Sequence, residues 1–193
     1  ELWDAPLIIT EGGGSDFSVG DQRFYTCQTG QKGLCRLRVI ARGTPGHGSM
    51  PHGNNAILKL SKALAGLEGA VLPAHICGSV QKFVEGIAEQ RPEAEAATWR
   101  QVLDEAHCDE ALAALPIDEE WRRELGAVLR NTASVTMLQS GSKINVIPGE
   151  ATAWVDGRLA PGQTEESFVA ELRAFIGEEV EIAIDQYTPP LEA

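Results

Sequence analysis

GLCRLRVIAR, residues 33–42, alternates along its length: Leu37, Val39 and Ala41 fall on one face, Arg36, Arg38 and Ile40 on the other. That period of two marks a strand with one buried face. Just upstream, QRFYTCQT (22–29) is also rich in aromatic and β-branched residues, and Gly30 to Gly33 supplies a turn, so the two runs read as a hairpin. Just downstream, GTPGHGSMPHG (43–53) holds four glycines, two prolines and two histidines and must be loop. Asn54 or Asn55 then caps a helix running to about Glu68, with Ile57, Leu60, Leu64 and Leu67 as its apolar stripe and Gly69 as its stop.

The rest of the chain extends this pattern. Residues 75–87 fit neither helix nor strand decisively, but from Arg91 to Arg130 the composition turns to amphipathic helix, with Pro92 suited to a first turn and Asp118 to an N-cap. Strand character returns in TASVTML (132–138), and a loop, GSKINVIPGE, leads to the alternating ATAWVDGRL (151–159). Thr164 and Ser167 open a last helix through Phe168, Leu172, Phe175 and Ile176 that Gly177 stops, and VEIAI (180–184) is the final strand before Pro189 and Pro190. Setting aside the helical block at about 83–130 leaves the order β-α-β-β-α-β behind one leading strand. That is the order of a ferredoxin-like α+β sandwich, an antiparallel sheet with helices on one face, here carrying a helical insertion.

Composition bounds the partners. The 193 residues include 16 basic and 28 acidic side chains, giving net −12 and a pI near 4.7. A chain so acidic lacks the basic face needed to hold nucleic acid or an anionic membrane. No apolar run approaches the ~20 residues of a spanning helix, and no leader pattern opens the chain. Cys27, Cys35, Cys77 and Cys108 form no CxxC pair. They read as reduced thiols of a cytoplasmic protein rather than as a disulfide frame or a four-cysteine zinc site. The chain opens without methionine and closes at PPLEA, so both ends read as cut from a longer protein.

Three places could carry chemistry. His47 sits between two glycines, where its ring can project freely; a metal site from His47 and His52 would need a third ligand that does not follow at helical spacing. Glu11 follows the strand-like APLIIT (5–10) and precedes three glycines, a place suited to a metal-binding or catalytic carboxylate; read alone, it is equally a plain turn glutamate. The segment EGGGSD has neither the lysine nor the spacing of a phosphate loop. Asn145, in KINVIP, and Arg158, 13 residues later in VDGR, are a donor and a planar cationic fork of the kind that grips a carboxylate; alternatively, Asn145 forms a turn and Arg158 pairs locally with Asp156.

Taken together, TEGGG (10–14), GTPGHGSMPHGNNA (43–56) and GSKINVIPGEATAWVDGRLAPG (141–162) resemble the zinc metallohydrolases that include aminoacylase, carboxypeptidase G, acetylornithine deacetylase and succinyl-diaminopimelate desuccinylase. The resemblance implies a two-zinc catalytic domain interrupted by a ferredoxin-like lid that forms the dimer interface. It implies that Glu11 is one zinc ligand. His47 reaches toward the oxygen of the scissile carbonyl, in cis or from the other subunit, and Asn145 with Arg158 holds the substrate carboxylate. On that pattern residues 1–20 end the catalytic domain, 21–188 are the lid with its helical insertion, and 189–193 begin the return.

The family's His-x-Asp, bridging Asp, Glu-Glu pair and downstream histidine have no counterpart here: residues 52–54 read HGN, and Glu119 with Glu120 lies inside the helical insertion. The expectation is therefore an excised lid and dimerisation domain, inactive and without tightly bound zinc. Its parent would be a homodimeric two-zinc hydrolase cutting the amide bond of N-acyl amino acids or small peptides. The alternative is a stand-alone ferredoxin-like dimerisation or binding module.

Overall fold

The computed structural model describes residues 14–193. In chain order the first half forms β1 (Asp16–Val19), β2 (Gln22–Tyr25), β3 (Gly30–Gln31), β4 (Gly33–Arg42), β5 (Gly46–His47) and α1 (Ala56–Ala65). Four helices follow: α2 (Gly78–Ala88), α3 (Glu93–Gln101), α4 (Cys108–Ala114) and α5 (Glu119–Val128). The chain ends with β6 (Thr132–Ser140), β7 (Val146–Ile147), β8 (Glu150–Leu159), α6 (Glu165–Ile176), β9 (Glu181–Thr188) and β10 (Leu191–Glu192).

The main sheet has the order β6-β8-β4-β9, and every neighbouring pair is antiparallel. With α1 and α6, these strands follow one another as β-α-β-β-α-β. Alternation decides the inner face: Cys35, Leu37, Val39 and Ala41 of β4 and Ala151, Ala153 and Val155 of β8 are buried against Ala56, Leu60 and Ala63 of α1 and Phe168, Leu172 and Ile176 of α6. The opposite face carries a lattice of ion pairs, Arg36 with Asp156, Arg38 with Asp185, and Arg42 with Glu150 and Glu181.

The helical insertion has a core of its own. Val84, Ile87, Trp99, Val102, Leu125 and Leu129 are buried together with Val19 of β1. Phe17 stacks on Phe24 at 5.3 Å between ring centroids and lies 4.6 Å from Trp121, so the β1–β2 hairpin closes this second core. Two polar ties join the cores. His75 Nε2 and Asn131 Nδ2 both bond the Glu171 carboxylate of α6, at 2.5 and 2.9 Å. Lys32, just before β4, donates to the carbonyls of Ala127 and Arg130 at 2.7 and 2.8 Å, capping the end of α5.

Several sequence expectations need correction. The predicted hairpin between 22–29 and 33–42 does not form: β2 pairs with β1, and β4 pairs with β8 and β9. Both edges of β4 are taken by long strands, while the aromatic side of β2 is drawn to Phe17 and the insertion. The insertion begins at Gly78 rather than 83, because the ambiguous 75–87 stretch is helix α2. In α1 the buried stripe is Ala56, Leu60 and Ala63, and Ile57 is 40% exposed. Small residues let α1 lie close to β4 and β8, which turns Ile57 and Leu58 outward. Three N-caps are as expected: Asn55 accepts from Ile57 N, Asp118 from Trp121 N, and Thr164 and Ser167 form a capping box; α1, however, ends at Ala65 with Gly66 as its C-cap, short of the predicted stop at Gly69, and Pro92 is the N-cap of α3 rather than in its first turn.

Candidate functional site

The glycine-rich loop after β4 is an ordered clasp. Gly43 N donates to Gly149 O at 2.9 Å, and Thr44 is bonded to Asn54 through both backbone and side chain. Within the clasp β5 pairs with β7, setting Gly46 opposite Ile147 and His47 opposite Val146. Gly48 N then donates to Asn145 O at 2.8 Å. A Cβ at residue 48 would lie 3.3 Å from the Asn145 carbonyl, a tight approach that would press the two loops a few tenths of an ångström apart. His47 and Asn145, 98 positions apart in sequence, are thereby neighbours on hydrogen-bonded backbone.

The His47 ring is oriented by its own turn. Its Nδ1 accepts from Ser49 N at 3.2 Å and lies 2.8 Å from Ser49 Oγ. An Nδ1 that accepts a backbone N–H leaves the proton of the neutral ring on Nε2, which can act as a hydrogen-bond donor at this exposed tip. His52 is used differently: its Nδ1 accepts from Asn54 N at 3.2 Å, while its buried Nε2 finds no partner among the described residues.

Arg158 stands elsewhere. It lies near the end of β8 opposite Leu34, whereas the clasp adjoins the start of β8, where Glu150 faces Arg42. The eight residue steps from 150 to 158 span about 26 Å of strand. Within one chain the structure therefore brings His47 to Asn145 and keeps Arg158 from both. Arg158 Nε donates to Asp156 Oδ2 at 2.9 Å, and Arg36 Nε donates to Asp156 Oδ1 at 3.2 Å. Burial disfavours the Asp156 charge, but the bonds from Arg158 and Arg36 outweigh it and hold the carboxyl below its usual range. Glu11 lies outside the described residues.

One group that the sequence reading passed over is Lys32, placed there in a turn. Its burial, reinforced by the positive charges of Arg158 and Arg130, lowers its pKa to about 8. No sequence signal marked it, because the carbonyls it caps lie more than 90 positions away. A groove of about 510 Å³ between α5 and the 67–72 turn touches none of His47, Asn145 or Arg158. Among the described residues no group of three or more His, Cys, Asp or Glu side chains could hold a metal ion.

Residues 29–183 match the family model described as the peptidase dimerisation domain. The chain belongs to that family. It is 27% identical over 151 residues to the N-fatty-acyl-amino acid synthase/hydrolase PM20D1.1 of Danio rerio, covering 77% of this chain and 28% of that protein. It is 30% identical over 136 residues to the Homo sapiens PM20D1 protein of the same description, covering 69% and 26%. Among solved structures, the M20 family metallo-carboxypeptidase Sso-CP2 from Sulfolobus solfataricus aligns over 84% of this chain and 45% of its own, at 18% identity and a TM-score of 0.48. The peptidase dimerisation domain thus spans just over a quarter of the curated relatives' length.

Proposed function

We propose that this chain is the lid and dimerisation domain of a homodimeric hydrolase that cuts the amide bond of N-acyl amino acids or small peptides. The β-α-β-β-α-β order supports reading the sandwich as ferredoxin-like. The chain enters and leaves the sandwich side by side, because β3 pairs with β10. In this reading residues 1–15 and 189–193 belong to the flanking catalytic domain, while residues 16–20, assigned to that domain on the sequence pattern, go with the lid because β1 closes the core of its helical insertion. Two zinc ions, Glu11 as one of their ligands, and the cytoplasm as the compartment complete the proposal. All four cysteines are free, in keeping with a reducing compartment. In this reading the remaining zinc ligands belong to the flanking catalytic domain, the lid alone is inactive, and its own residues bind and polarise the substrate.

The observation that carries the proposal is the separation of His47 and Asn145 from Arg158. An amino-acid carboxylate and the amide carbonyl beside it lie only a few ångströms apart, and about 26 Å of β8 is far too long. Strand β6 offers the solution. It is one of the two edge strands of the main sheet, and its Val135, Met137 and Leu138 are exposed. An unpaired apolar edge is a template for a second copy. Antiparallel pairing of β6 with its copy about a two-fold axis inverts one sheet against the other. The clasp end of one chain then falls beside Arg158 of the partner subunit. Three strand spacings, roughly 14 Å, separate the two β8 strands across that seam, within reach of projecting loops.

In the assembled site, Arg158 holds the carboxylate through a charge-assisted grip. Asn145 adds a donor beside the substrate. His47 Nε2–H donates to the carbonyl oxygen as negative charge develops there. Steady-state kinetics of the full-length enzyme tests these roles. His47→Ala should lower kcat by about 100-fold with KM little changed, since the oxyanion exists only near the transition state. Arg158→Ala should cost roughly 2–4 kcal/mol in kcat/KM, mainly through KM. A wild-type kcat in the His47 variant would refute its role.

A further inference from the structure

Four arginines stand on the outer face of the main sheet, and they use their guanidinium forks differently. Arg38 bonds Asp185 through Nε and Nη2, and Arg42 divides Nε and Nη1 between Glu181 and Glu150. Arg36 gives Nε to Asp156 and Nη1 to Gln186. Arg158 is held by Nε alone, again to Asp156, and neither of its Nη groups has a partner among the described residues. Its side chain is 47% exposed, so the two-pronged end of the fork is open to solvent. Asp156 is thus shared, one oxygen to each arginine, where Arg38 has a carboxylate to itself and Arg42 has two. Two cations with one anion leave this corner of the sheet one negative charge short.

Resting on the proposed reading of Arg158, we propose that Asp156 and Arg36 are positioning residues for the substrate carboxylate. Asp156 takes Arg158 by Nε so that the free Nη pair meets the carboxylate end-on, and Arg36 fixes Asp156 in turn. The register of the sheet builds this chain of contacts: Arg36 lies opposite Asp156 on β8 and opposite Gln186 on β9, so the carboxylate is held from a neighbouring strand that is itself hydrogen-bonded on both sides. An arginine already held at Nε has given up its rotamer freedom before the substrate arrives, and a planar fork fixed in one plane can close both bonds at once. Asp156 also repels an incoming carboxylate. Its charge is spent on two guanidinium groups and is partly open to water, so the gain in orientation outweighs that repulsion.

The test is steady-state kinetics of Asp156→Asn, Arg36→Gln and Arg158→Ala in the full-length enzyme, singly and with Asp156→Asn combined with Arg158→Ala. Asparagine keeps the size of the side chain and the pairs lost are at the surface, so thermal unfolding should stay near that of wild type. Asp156→Asn should raise KM about 10-fold with kcat little changed, and Arg36→Gln should raise it by less. In the Arg158→Ala background Asp156→Asn should add nothing, because it acts only through that fork. On a substrate whose carboxylate is replaced by a carboxamide, Asp156→Asn and wild type should be equal, a result that general damage to the sheet would not produce. A KM that falls, as removal of a repelling charge alone would cause, would overturn the proposal. So would a rise in KM that persists without Arg158. A wild-type KM in Asp156→Asn beside an impaired Arg158→Ala would overturn the positioning role alone, whereas a wild-type KM in Arg158→Ala would overturn the carboxylate grip itself and the proposal with it.

Discussion

The ring of Phe168 fills the space that a side chain on Gly157 would need. A methyl group there would stand 2.4 Å from Phe168 Cε1 and 2.5 Å from the Cys35 carbonyl oxygen. In VDGR the alternation of the strand turns Asp156 and Arg158 to the outer face and residue 157 inward, so the glycine between the two polar residues is what lets α6 seat on the sheet. Neither obstacle is a flexible chain end that can move aside cheaply. Gly157→Ala should cost about 1–3 kcal/mol or more, as overpacked cores do. Thermal unfolding should show a Tm lower by several degrees; an unchanged Tm would contradict this packing.

The Glu171 carboxylate should behave as the joint between the two cores. Glu171→Ala would leave the half-buried His75 Nε2 and the fully buried Asn131 amide without their partner. Each unsatisfied buried group costs about 1–3 kcal/mol, so denaturant titration should show a clear loss of stability. Because the tie joins separate clusters, the aromatic signal of Trp99 and Trp121 should report a transition earlier than the far-ultraviolet signal of the whole chain.

Lys32 should give the fold a pH dependence of definite sign. Its folded pKa is about 8 against an ordinary value of 10.5, so between these values the unfolded chain holds more protons than the folded one. Stability from this group is complete above pH 10.5 and is lost as pH falls through about 8. The difference in unfolding free energy between wild type and Lys32→Met should therefore shift in favour of wild type as pH rises from 8 to 10. A difference that stays flat with pH would contradict the burial of this amine.

Periodicity made the long strands, the two core helices and their caps legible. GLCRLRVIAR, ATAWVDGRL and the Thr164–Ser167 capping box carry their structure locally, in alternation and in side chains that bond their own backbone. What local pattern could not carry was partner choice. QRFY has the composition to pair with β4, but the aromatic cluster around Phe17 and Trp121 draws it to β1, and nothing near residue 25 encodes that cluster. Ile57 fits a helical stripe, yet its exposure depends on which small residues face the sheet. The site shows the same division. His47 and Asn145 stood out by their motifs, while their contact, between residues 98 positions apart, depends on the pairing of β5 with β7. The distance to Arg158 became visible only with the register of β8.

The central claim is that one working site draws His47 and Asn145 from one subunit and Arg158 from the other, and subunit complementation tests it most directly. His47→Ala and Arg158→Ala versions of the full-length enzyme, each severely impaired alone, are dissociated, mixed in equal amounts and reassociated. If the site is shared, each heterodimer contains one site with both residues intact and one with neither. Random reassociation should then restore about a quarter of wild-type activity, since half the dimers carry one good site in two. If each chain builds its own site, every site in the mixture keeps one defect. Activity no greater than the average of the two variants would contradict the account.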